Sequence, residues 1–146
     1  MRLLIGIVPL AILVSPANAE SSLHAKEAQM TWAAFRCATL ASVVGSAEYQ
    51  RLFDIGRREG TKYIKAINED ATLEIKIYSD VPEVLRGKIG GISQDFDLGR
   101  LYEATSSGTV DNLKEALSSL EPIQFNAAMT DLATQKFESD NCALLK

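Results

Sequence analysis

His24, Asp95, Asp97 and Glu103 are the side chains of this sequence best suited to moving a proton, and each sits in an incomplete pattern. His24 is the one histidine. A hydrolase built on serine or cysteine needs such a ring held between a nucleophile and a carboxylate. This one lies near the start of the chain, where fraying undoes that geometry. The stretch "SQDFDLGRLYE", residues 93–103, offers Asp95, Asp97 and Glu103 for sugar cleavage, a chemistry in which two carboxyl groups stand about 5–9 Å apart. Asp97 and Glu103 are six residues apart, so a regular helix sends them to different faces. Attraction to the helix N-terminus accounts better for the two aspartates. They define an envelope-acting hydrolase as the alternative function.

Arg51, Arg57, Arg58 and Lys62 form a basic strip. Asp54 and Arg58 fall one helical turn apart, as do Arg58 and Lys62, so a solvated ladder of ion pairs explains most of these charges. The functional reading makes Arg57 and Arg58 a contact for an acidic partner. No P-loop, GxGxxG, HExxH or CxxC is present. One histidine and two widely spaced cysteines do not compose a zinc site, and no cofactor or metal is expected.

The elements that position these residues begin with "MRLLIGIVPLAILVSPANAES". One arginine, an apolar run from Leu3 to Val14 and small residues at Ala17 and Ala19 follow the order of a secretory signal cut after Ala19. Pro16 and Asn18 interrupt the run well short of the roughly 20 apolar residues that a membrane span needs. Residues 1–19 are therefore read as a leader, and residues 20–146 as one exported domain with no membrane-spanning segment. Losing the leader removes Arg2 and no acid, so the formal charge moves from −4 to −5. That balance disfavours nucleic acid, which rewards clustered lysine and arginine. In an oxidising compartment, most simply the bacterial periplasm, Cys37 and Cys142 form one disulfide.

Helical spacing runs from Ser21 to Val44 through Leu23, Met30, Ala34, Cys37 and Ala41, with Gly45 ending the helix and Ser46 capping the next. The second helix carries Tyr49, Leu52, Phe53, Gly56, Gly60, Tyr63, Ile64 and Ile67 on one face. A tight antiparallel hairpin places Gly56 across from Phe35, and Gly60 across from Thr31 and Trp32. An interior glycine costs about 1 kcal/mol relative to alanine. Burying a large aromatic returns roughly 1.5–3 kcal/mol, so the glycines read as sockets for Trp32 and Phe35. A hinge, or a ligand pocket behind Trp32, is the functional alternative for the same residues.

"TLEIKIY" alternates as a strand does, and "GKIGGI" could pair with it as a ribbon. A connection whose apolar residues plug the core is the preferred reading of residues 72–92, with a short helix after Pro82 and a flexible turn at Gly90-Gly91. Ser93 caps a helix with Phe96, Leu98, Leu101 and Tyr102 inward, which Gly108 breaks. A further helical stretch leads to a last helix from Pro122 to about Phe137. The sum is one all-α domain of five or six helices. This layout resembles, in general architecture, the small periplasmic immunity proteins that neutralise cell-wall amidases delivered by bacterial rivals, and no functional residue is carried over from it. The function expected is non-catalytic binding, as an inhibitor or immunity-type partner of another exported protein, with a small-ligand module as a further alternative.

Overall fold

The computed structural model describes residues 16–146. The leader expected over residues 1–19 lies outside the description, except for the helical backbone of 16–19. The elements are α1 (Pro16–Val43), α2 (Glu48–Glu69), α3 (Leu73–Lys76), a 3-10 turn (Glu83–Leu85), α4 (Gln94–Ala116), α5 (Pro122–Ser139) and a last 3-10 turn (Cys142–Leu144). No strand occurs among the described residues. The fold is all-α, and "TLEIKIY" becomes a short helical connection in which Leu73 and Ile77 are buried while Ile75 is exposed.

The centre is α1, which packs against α2, α4 and α5. Ala34, Phe35, Cys37, Ala38, Thr39, Leu40 and Ala41 are all buried. From Cys37 to Ala41 every residue is buried, so this stretch is covered all round and is apolar apart from Thr39, and its alanines let the neighbours approach closely. The hydroxyl of buried Thr39 donates to the Phe35 carbonyl at 2.9 Å, which satisfies a group that would otherwise be costly inside. Leu23, expected inward, is exposed. The buried line at this end runs instead through Ala25, Ala28, Thr31 and Phe35.

Gly45 turns the chain between α1 and α2 at φ +69°, a backbone conformation that glycine adopts without a steric penalty. The Ser46 hydroxyl oxygen then accepts from the Glu48 N–H at 3.2 Å. The resulting seam is tight. A Cβ on Gly56 would stand 2.6 Å from Cε1 of the Phe35 ring. At Gly60 the occupants are Leu98, 2.8 Å from such a Cβ, and Thr31, at 3.1 Å. Trp32, expected in this socket, is only partly buried and lines a surface groove. Its position follows from the helix, since the residue after Thr31 is turned about 100° away.

Phe35 also gathers the rings of the other helices. Its centroid lies 5.7 Å from Phe53 and 5.2 Å from Tyr102, and Phe53 meets Tyr102 edge-on at 5.1 Å. Three helices thus share one aromatic cluster with the tilted geometries that such rings favour. Ser93 caps α4, accepting from the Phe96 N–H at 3.2 Å. The helix then passes through Gly99 and Gly108 without the expected break. Buried Leu101, Thr105, Thr109 and Leu113 continue on both sides of Gly108, and that burial outweighs the propensity cost of about 1 kcal/mol. Phe96, expected inward, is half exposed, and Asp97 takes the inward place.

Cys37 and Cys142 are joined, with Cα atoms 5.5 Å apart and a sequence separation of 105. Two charged contacts support the clasp. Arg36 lies 2.8 Å from Asp140, and the Arg51 guanidinium donates to the Leu145 carbonyl. At the other end of the domain, Asp70 receives the Thr72 hydroxyl at 2.7 Å and Lys76 Nζ at 3.0 Å. These bonds, that of Thr72 first, hold the Asp70 carboxyl down at about 2.

Three outcomes are expected. Gly56→Ala meets the Phe35 ring, and overpacking of about 1–3 kcal/mol exceeds the propensity gained, so the urea midpoint falls; Gly60→Ala, facing the flexible end of Leu98, costs less. Cys37→Ser with Cys142→Ser lowers stability by about 2–5 kcal/mol, and alkylation of the unreduced parent adds no mass. Because the folded-state value of Asp70 is depressed, its contribution is present above the unfolded value of 3.8 and is lost as pH falls through about 2. Carbon NMR of the Asp70 carboxyl follows this, and Thr72→Ala moves the midpoint upward.

Candidate functional site

The acids that a hydrolase would use differ in surroundings: Asp97 is buried, while Asp95 and Glu103 are exposed. Both Asp97 oxygens accept backbone amides, from Gly91 at 2.8 Å and Gly90 at 3.1 Å. Glu103 accepts from the Ser107 hydroxyl at 3.1 Å. The Gly90-Gly91 turn, read from sequence as flexible, is therefore tied to α4, and Gly87 is tied to Glu74 at 2.9 Å. His24 stands 2.7 Å from the Glu27 carboxylate, one turn along the same helix. Among the described residues no three His, Cys, Asp or Glu side chains gather as a metal site.

The basic strip of α2 is neutralised locally. Arg57 lies 3.5 Å from Asp54, while Arg58 and Lys62 share Glu59 at 2.7 and 3.0 Å. Burial acts to raise the Glu59 carboxyl, but hydrogen bonds from Arg58 and Lys62 outweigh it and hold the group below its usual range. Arg51 turns from this strip to the C-terminal tail. Arg57 and Arg58 keep more than half of their side chains in solvent, so their charge is available only in competition with partners already present.

Two concavities open on the surface. The first, of about 890 Å³, lies between the start of α1 and the end of α2 and includes His24, Lys65, Glu69, Asp70 and Lys76. Its charges are mostly paired with one another: Lys65 with Glu69 and Lys76 with Asp70. The second, of about 720 Å³, has apolar walls from Trp32, Ala33, Val81, Pro82 and Val84, and a rim of Gln29, Asp80, Glu83 and Arg86. Gln29 of α1 donates to the Asp80 carbonyl at 2.9 Å and so fixes the rim to the helix. The Arg36 guanidinium sits 5.3 Å from the Trp32 ring centroid.

Sequence reasoning put Trp32 in the seam and missed Asp80, Pro82, Glu83 and Arg86. The groove joins one turn of α1 to a connection some fifty residues later, so no local spacing announces it. Glu83 and Arg86, three apart, even imitate a helical ion pair. The turn ends at Leu85 and Arg86 is extended, which separates them. In comparisons with known proteins, the chain matches no family model, and no curated protein or solved structure resembles it at a significant level.

Proposed function

We propose that this chain is an exported, non-catalytic binding protein, an inhibitor or immunity-type partner of another exported protein, and that the groove beside Trp32 receives that partner. The observation carrying this reading is the placement of the single tryptophan in an apolar groove wall instead of in the interhelical seam. Tryptophan is enriched among the residues that dominate binding energy, and a groove of about 720 Å³ lies within the range of sites that hold small molecules or short segments.

Other features support the same reading. The disulfide between buried cysteines suits an oxidising compartment. Among the described residues no helix is long and apolar enough to cross a membrane. The net acidic balance disfavours nucleic acid as a partner. For the hydrolase alternative, Asp97 would first have to release the Gly90 and Gly91 amides, which leaves two donors stranded.

The test is affinity capture from an envelope extract with the full chain and with Trp32→Ala. A partner retained by the parent should bind the variant about 30-fold more weakly, the scale of a 2 kcal/mol hot spot, while circular dichroism shows the same helical content. A partner held equally by both proteins rules the groove out as its docking site. Turnover of cell-wall material that disappears in Asp95→Asn with Glu103→Gln would favour the enzyme instead.

A further inference from the structure

We propose that the Trp32 groove takes a peptide segment of the partner that carries an apolar side chain between a carboxylate and a cation, with Arg86 as the carboxylate's receptor. The inference rests on the reading of the groove as the docking site. Arg36, Arg51, Arg57, Arg58 and Arg100 each lie within 4.0 Å of a carboxylate. Arg86 alone among the arginines of the described residues has none.

It is nonetheless held in place. Its Nε–H donates to the Val81 carbonyl at 2.9 Å, and its guanidinium carbon lies 4.6 Å from the Tyr78 ring centroid. The two contacts set the plane of the group and leave its terminal nitrogens open. A planar fork of that kind matches a carboxylate with two parallel bonds, and its ordering cost has already been met within the fold.

The acids of the rim determine the rest of the ligand. Asp80 and Glu83 have no ion-pair partner among the described residues. A purely anionic segment would face both of them, and a purely cationic one would face Arg86. A segment bearing both signs satisfies the whole rim, while its apolar side chain enters between Trp32, Pro82 and Val84. The groove, at about 720 Å³, has room for several residues, which favours a chain segment over a free amino acid.

Emission from Trp32, the single indole, reports the test. The full chain is titrated with acetyl-Glu-Leu-Lys-amide, acetyl-Lys-Leu-Glu-amide, acetyl-Gln-Leu-Gln-amide and free leucine. One of the two charged peptides should bind saturably and at least 10-fold more tightly than the neutral peptide or leucine. Arg86→Gln should weaken it about 10-fold or more, with Arg86→Lys intermediate. Asp80→Asn with Glu83→Gln, which leaves the Arg86 anchors in place, should weaken the same peptide. Equal binding of charged and neutral peptides, tighter binding of leucine, or indifference to Arg86→Gln overturns the proposal. If no peptide binds but Trp32→Ala still loses the captured partner, this specificity is wrong and the docking site stands. If the charged peptide binds but partner capture ignores Trp32→Ala, the docking reading fails and the groove chemistry stands.

Discussion

Phe35 can occupy the seam between α1 and α2 only because Gly56 has no side chain there. From that contact the rest of the domain follows. With the two helices drawn together, the Phe35 ring reaches Phe53 and Tyr102, and this aromatic cluster joins α4 to the hairpin beside the buried Leu101 and Leu113. Burial pushes the Tyr102 hydroxyl's pKa upward, and its contact with the Tyr49 hydroxyl adds to the shift. The second core cluster, around Leu40, Leu52 and Ala133, then brings α5 against the other side of α1. Close approach at one glycine is thus converted into a helix enclosed by three others.

What the residues announced in advance was whatever depended on neighbours in sequence. Gly45, Ser46 and Ser93 carry turn and cap chemistry within a few positions, and the stripe of α2 repeats clearly enough to place Gly56 opposite Phe35 by counting from the turn. The cysteine pairing was expected from the number of cysteines and an oxidising compartment read from the sequence. Helix α4 was harder, since Gly108 is a sound local stop signal overridden by burial on either side of it. Asp97 was harder still. A carboxylate in a first turn looks like a partner of the helix dipole, and only the folded chain brings the Gly90 and Gly91 amides to it. Of the Trp32 groove, only a ligand pocket behind Trp32 was named in advance, as an alternative. The opposite wall from Asp80 to Arg86 was not, because it comes from a segment with no periodicity shared with α1.

Charge is distributed unevenly between the two concavities. Around the larger cleft and along α2, most acids and bases lie within a few residues of one another in sequence and pair locally, an arrangement worth little in stability and offering little to a visitor. Around the smaller groove an anchored arginine and two carboxylates have no ion pair among the described residues, beside apolar walls. A protein surface of mixed charge is ordinary. A pinned cation with no counter-ion among the described residues, lining the same groove as the one indole of the chain, is the feature that gives the groove its chemical character.

The clasp between Cys37 and Cys142 also has a temporal meaning. Cys142 follows all five α-helices along the chain, so its sulfur is synthesised well after the α1–α2 hairpin, which draws on adjacent sequence that has already emerged. The covalent closure therefore waits for the far end of the helical array and joins it to a helix made near its start. Two cysteines admit one intramolecular pairing, so the nascent molecule has no wrong bridge to make with itself, and the error that remains open to it is a bridge to a second copy.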